Sequence, residues 1–139
     1  MREILFRGKR TDNGEWVTGF YVRADHHWHK HGIHKDWIIC GASANGGWFA
    51  LHNKYPVKSD TVSEYTALKD KNGKRIFEGD IVRMEFVDTE EVGEIVWDEE
   101  CCKWAYASPD GDIYGVDGTI ECEILGNIHD NPELLEDIS

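Results

Sequence analysis

The sequence predicts a mainly β protein, with an N-terminal β-hairpin lobe over residues 1–63 packed on a C-terminal small β-barrel of the Src-homology-3 type over residues 64–139. Three observations lead there. Turn signals built from Asn, Asp and Gly recur at short intervals along the chain. The segments between them are short runs of apolar and β-branched residues. No window of a dozen residues carries a helical apolar stripe before the C-terminus.

The first hairpin joins Ile4–Arg10 to Trp16–Val22, because Asp12-Asn13-Gly14 supplies the positive φ angles of a tight turn. On the return strand Trp16, Thr18, Phe20 and Val22 face one way and Val17, Gly19 and Tyr21 the other. Bulk on both faces places this strand between layers or at a subunit contact. Trp37–Cys40 is expected to pair with Trp48–Leu51 across the loop GASANGG. That loop lacks the Lys-Ser/Thr ending, the following helix and the G-x-G-x-x-G spacing of a phosphate cradle, so it reads as a hairpin tip.

From Glu64 the pattern tightens. Tyr65–Leu68 reads as a strand, Asp70–Lys74 as a turn with Asn72-Gly73 at its apex, Ile76-Phe77 as a brief return and Glu78-Gly79-Asp80 as a corner. A longer strand follows with Val82, Met84 and Phe86 on one face, then Val92–Trp97, Lys103–Ala107, Ile113–Val116 and Ile120–Leu125. Five short strands bury little as a flat sheet, and rolling them into a barrel covers the apolar faces and removes exposed edge. Asn131-Pro132-Glu133 then opens one short helix, with Asn capping, Pro at the first helical position and Glu near the positive end. Leu134 and Leu135 are expected to plug the barrel or dock on a neighbour.

With 139 residues and 40% apolar content, the chain can bury a core without disulfide, metal or other cofactor. No signal-peptide core opens it and no run approaches membrane-spanning length, so a cytoplasmic protein without a membrane partner is expected. Cys40, Cys101, Cys102 and Cys122 form no C-x-x-C pair, which fits reduced thiols, and Cys122 in ECEI reads as a small core residue. The net charge of −12 is unevenly divided. Residues 1–84 hold 14 Lys and Arg against 10 Asp and Glu; residues 85–139 hold 1 against 17. The acidic half should repel phosphate backbones and attract basic surfaces, through a solvated face or through head-to-tail contact between copies.

EYTALKDKNGKRIFEGDIVR (64–83), the opening REILFRGKR (2–10) and the ending ILGNIHDNPELLED (124–137) together resemble the YopX family, small proteins encoded mainly by phages and prophages. The three signatures span almost the whole chain in the family's order. The resemblance implies a β-rich fold with a C-terminal barrel, a phage or prophage origin and a tendency to assemble. It implies no reaction and no catalytic residues.

The stretch DHHWHKHGIH (25–34) has no counterpart in that resemblance. His27, His29 and His31 alternate, so on a strand they would point to one side about 7 Å apart, whereas zinc needs its ligands about 2 Å from one point. A site would have to add His52 or Asp36 from elsewhere, and no Glu falls nearby to act as general base. Ser43, Ser59, Ser63, Ser108 and Ser139 lie in no nucleophile elbow, and the carboxylates spread through turns rather than pairing in an apolar cleft. No catalytic, cofactor-binding or metal residue is therefore assigned, and the chain reads as a non-enzyme. Gly79-Asp80 reads as a structural corner rather than a nucleic-acid grip, because the loops DTEE and DEECC beside it are acidic. The basic run Lys69, Lys71, Lys74 and Arg75 is the one feature favouring nucleic acid. Trp97 and Trp104 fit the core or rim of the second domain. Trp16, Trp28, Trp37 and Trp48 exceed what a small lobe can hide, so some should reach an interface.

The leading functional expectation is a self-associating protein-interaction module, a homo-oligomer that also engages an unidentified protein partner. One alternative is an acidic mimic of nucleic acid that occupies the groove of a DNA-processing protein; another is a metal-dependent enzyme centred on the histidines.

Overall fold

In a computed structural model, which describes residues 3–23, 36–40, 53–117 and 121–136, the first hairpin closes over Asn13-Gly14. Gly14 takes φ +73°, and the Asn13 side-chain oxygen accepts from the Glu15 N–H at 3.0 Å. The chain divides into two units, Met1–Glu64 and Tyr65–Ser139. Both are mainly antiparallel β, as the alternating sequence predicts.

The first unit contains strands β1 (Phe6–Lys9), β2 (Trp16–Arg23), β3 (Asp36–Ile39) and β4 (Lys54–Pro56), in the spatial order β4-β3-β2-β1. The start of β5 (Ser63–Lys69) pairs on the far side of β1, with Arg7 opposite Ser63 and Phe6 opposite Glu64. Period-two alternation gives this sheet two faces. One is the core face. Ile38 and Val57 are buried there, and Phe6 meets Tyr21 with ring centroids 5.7 Å apart. Asp36 is also buried, and its carboxylate accepts from the Tyr21 hydroxyl and from Ser59 Oγ at 2.5 Å. Burial, reinforced by that carboxylate, pushes the Tyr21 phenol upward. A buried charge is tolerated because donors satisfy it.

The expected pairing of Trp37–Cys40 with Trp48–Leu51 is corrected: β3 lies between β2 and β4, with Trp37 opposite Val22 on one side and Pro56 on the other. Both hydrogen-bonding edges of β3 are thereby occupied. Residues 48–51 and the loop GASANGG lie outside the described residues.

In the second unit, β6 (Arg75–Phe77) returns along β5 through the Asn72-Gly73 turn. Asp70 organises that turn. Its Oδ1 accepts from the N–H groups of Asn72 and Lys74, each at 2.9 Å. The Glu78-Gly79 corner follows, with Gly79 at φ +86° and buried Asp80 accepting from the Phe77 N–H at 2.8 Å. The structural corner read from EGDIVR is therefore present, with Gly supplying the turn and Asp the backbone bond. Strands β7 (Asp80–Glu85), β8 (Glu90–Asp98), β9 (Lys103–Ala107), β10 (Ile113–Gly115) and β11 (Cys122–Asn127) then form an antiparallel sheet of order β10-β9-β8-β7-β11. Val82, Met84, Ile95, Tyr106 and Cys122 bury one face with Ile76, and Trp104 and Ile124 pack around them. Phe86, predicted to extend this apolar row, instead lies beyond the end of β7 and is exposed.

This sheet does not close, which corrects the expected barrel. On the outer edge of β11, Lys71 N–H donates to the Cys122 carbonyl at 2.9 Å, and Asp70 Oδ2 accepts from the Ile124 N–H at 3.1 Å. A turn, not another strand of the sheet, thus satisfies that edge. At the opposite edge β10 pairs with β9 alone among the described strands. The short helix α1 (Glu133–Glu136) lies against β8, with Leu134 and Leu135 half-buried rather than plugging the core. Asn131 keeps the cap position through its carbonyl, which accepts from Leu134 N–H at 3.1 Å. Its side-chain oxygen turns back to the Asn127 N–H at 3.3 Å, so the expected side-chain cap becomes a tie to β11.

Candidate interaction surface

The second face of the first unit's sheet is built from the alternate positions of the same strands. Phe20, Ile39 and Lys54 form one row across β2, β3 and β4, and Val22, Trp37 and Pro56 form the next. Along β1, Arg7 stands between Ser63 and Thr18, and Lys9 stands beside Trp16. Phe20 is 53% exposed and Val22 40%. Cations lie over the indoles, with Lys54 Nζ 5.0 Å from the Trp37 ring centroid and the Arg7 guanidinium 4.9 Å from that of Trp16. Arg7 Nε also donates to Ser63 Oγ at 3.3 Å. This face thus carries exposed apolar groups, two tryptophans and three cations. The paired positions of β1–β4 place no carboxylate on it, since Asp36 points into the core. A face of this composition suits an acidic, partly apolar partner.

The second unit has the opposite sign. Residues 65–139 hold 6 Lys and Arg against 20 Asp and Glu, whereas residues 1–64 hold 9 against 7. Many of these carboxylates already have partners. Lys71 Nζ lies 2.6 Å from Glu85, and Arg83 bonds Glu123 and approaches Glu90 at 3.9 Å. Glu91 accepts from the Tyr106 hydroxyl at 3.1 Å and from Ser108 Oγ at 3.4 Å. Burial, followed by that carboxylate, raises the Tyr106 phenol well above its ordinary value.

Among the described residues, those singled out from the sequence do not converge on a reactive centre. His27, His29 and His31, with the rest of 25–34 and His52, lie outside the described residues. Asp36, considered as a further ligand, is engaged by Tyr21 and Ser59. Among the described residues no group of three His, Cys, Asp or Glu side chains is placed to hold a metal ion. In the basic run, Lys71 faces Glu85 and the Arg75 guanidinium lies 5.7 Å from the Tyr65 ring centroid. Trp97 and Trp104 meet edge-on at 5.0 Å, with Trp97 exposed at the rim and Trp104 packed beside the core. The sequence did not announce Arg7 and Lys9 as partners of Trp16, or Lys54 as the partner of Trp37. The alternation of Arg7 with Lys9, read through the Asn-Gly hairpin register, was the signal that could have found two of them.

The cysteines give a direct check on the core. Cys122 is buried, and burial, with the charges of Asp70 and Asp80, pushes its thiol up to about 11; Cys101 and Cys102 are exposed. A thiol reagent near neutral pH should therefore modify Cys101 and Cys102 in the native protein and reach Cys122 only on unfolding. Mass spectrometry of labelled peptides reads the order, and early modification of Cys122 would contradict the packing.

The family model described as YopX protein matches residues 5–136. A search of curated proteins gives no match. Among solved structures, the chain is similar to the crystal structure of protein EF1440 from Enterococcus faecalis, with a TM-score of 0.54 and 23% identity over 97% of this chain and 99% of that one. At that identity the likeness establishes the fold. Among the described residues no helix is long and apolar enough to cross a membrane.

Proposed function

The chain belongs to the YopX family, and from that premise we propose that it is a non-enzymatic, self-associating protein-interaction module of phage or prophage origin. The observation that carries this reading is the sheet face on which Phe20 and Val22 are exposed and which also carries Arg7, Lys9 and Lys54, with no carboxylate at the paired positions of β1–β4. The other unit of the same chain has a net charge of −14, from 6 basic and 20 acidic residues. A second copy therefore offers the complementary sign at a concentration equal to that of the protein itself. Apolar contact supplies affinity and charge supplies orientation.

The mimic of nucleic acid is less well supported. It needs a free row of carboxylates, whereas Asp70 and Asp80 hold backbone N–H groups and Glu85, Glu91 and Glu123 are engaged by side chains of their own unit.

Sedimentation or light scattering tests self-association. A multimer should form at about 50 mM salt and weaken as salt rises to about 500 mM, where screening shortens electrostatic reach to a few ångströms. Phe20→Glu should weaken it in low salt. A monomer at low salt and about 100 μM protein would remove the proposal.

A further inference from the structure

Resting on the self-association reading, we propose that the cationic sheet face of one copy docks on the β10 edge of a second copy, around Ile113 and Tyr114, which follow Asp110 and Asp112. The two surfaces differ, so the contact is heterologous.

Among the described residues of the second unit three acidic, apolar places are exposed; beside Trp97 the carboxylate-bearing Asp98 stands opposite Lys103 on β9, which leaves two to receive the face. At the β7–β8 turn, Phe86 and Val87 are exposed, but the neighbouring carboxylates Glu85 and Glu90 face Lys71 and Arg83 of the same unit. Their charge is already partly answered. At β10, Ile113 is 53% and Tyr114 50% exposed, and the chain holds no Lys or Arg from Trp104 to Ser139. Lys103, whose side chain runs past Gly115, is the nearby cation on β9. The Tyr114 hydroxyl donates to Asp112 Oδ2 at 3.4 Å, which leaves that carboxylate its negative charge.

The edge geometry favours the same place. Ser108 N–H donates to the Asp112 carbonyl and Val116 N–H to the Trp104 carbonyl, so even-numbered residues of this strand face β9. The backbone groups of Ile113 and Gly115 consequently point away from the sheet. An edge strand with outward polar groups, exposed apolar side chains and a surplus of acids is a contact surface rather than a finished boundary. Its carboxylates match Arg7, Lys9 and Lys54, and its Ile and Tyr match Phe20, Val22 and Ile39. A heterologous contact of this kind closes into a ring or grows as a filament, whereas an isologous contact stops at a dimer.

The test uses two full-length variants, one dead on each surface. Lys9→Glu with Lys54→Glu disables the face, and Asp110→Lys with Asp112→Lys disables the edge. Each alone should associate about tenfold or more weakly than the natural protein. Mixed, the intact edge of the first should meet the intact face of the second in a 1:1 complex that grows no further. Melting curves matching the natural protein establish folding, and Ile113→Lys replaces the edge variant if that one unfolds. If the edge variant associates as the natural protein does, the β10 assignment falls while self-association stands. If each variant is monomeric but the mixture does not pair, the heterologous arrangement is wrong. A natural protein that is itself monomeric sinks both readings.

Discussion

Replacing Asp70 by alanine should lower the unfolding free energy by about 3–4 kcal/mol, seen as a fall in the urea midpoint with an unchanged slope. The side chain is 6% exposed and serves two places far apart in sequence. Oδ1 receives the Asn72 and Lys74 N–H groups at 2.9 Å and so shapes the turn. Oδ2 receives Ile124 N–H at 3.1 Å and so satisfies the outer edge of β11. Alanine leaves three backbone donors to find other partners, and each unsatisfied donor costs more than an ordinary bond contributes. Asp70→Asn keeps one accepting oxygen but turns an NH2 toward a donor, so it should lose roughly half as much.

The same residue gives a pH signature. Burial alone would raise its pKa, but the N–H bonds from Ile124, Lys74 and Asn72, with the Lys74 charge, outweigh it and hold the carboxyl below its ordinary range. A carboxyl depressed in the folded state contributes stability that is fully present above its unfolded pKa of about 3.9 and is lost as pH falls through the folded value. The difference in stability between the natural protein and Asp70→Asn should therefore be constant near neutrality and shrink as acid is added below about pH 4. A difference that persists unchanged to lower pH would mean that the charge does not carry the effect.

The segment EYTALKDKNGKRIFEGDIVR shows how far sequence reaches. Its turns were legible because Asn72-Gly73 and Gly79 are among the few residue types that accept such backbone geometry. Its strands were legible from alternation, as was β9 further along the chain, which runs Lys103–Ala107 as read. Partner choice was not legible. Nothing in KDKNGK announces that Asp70 reaches a residue 54 positions later, and this bond, with that of Lys71, takes the edge a closing strand would have used. Alternation reports which face is buried and is silent on which edge meets which. The barrel expectation failed at that step, as did the pairing of Trp37–Cys40.

The candidate surface was legible in its parts. Surplus tryptophans and the division of charge were read from composition, and Phe20 and Val22 were assigned to one side of their strand. The placement of Arg7, Lys9 and Lys54 on that same face depends on the order β4-β3-β2-β1. Lys54 joins the face only because β4 pairs with β3 at Ile39. The histidines of 25–34 stand out by density, which does not by itself bring ligands to one point, and they lie outside the described residues.

Gly93→Ala should be the most damaging single-methyl change in the second unit, costing about 3 kcal/mol or more by overpacking. Gly93 lies opposite Val82 near the middle of β8, on the core face. A Cβ there would stand 2.3 Å from the Ala107 carbonyl oxygen and 2.4 Å from Cε2 of the Tyr106 ring. Neither can yield cheaply: the carbonyl belongs to the β9 ladder, and the Tyr106 side chain is wholly buried. The absent side chain is what allows the ring to lie across the strand. Gly73→Ala is the control. It has φ +83° with nothing within 4 Å of a Cβ, so it should lose only about 1 kcal/mol of backbone preference. Adding Tyr106→Leu to Gly93→Ala removes the ring conflict but leaves the carbonyl one, so stability should not return to that of Tyr106→Leu alone. If urea midpoints show Gly93→Ala and Gly73→Ala to be equally mild, the close crossing of Tyr106 over β8 is not the packing that holds this sheet together.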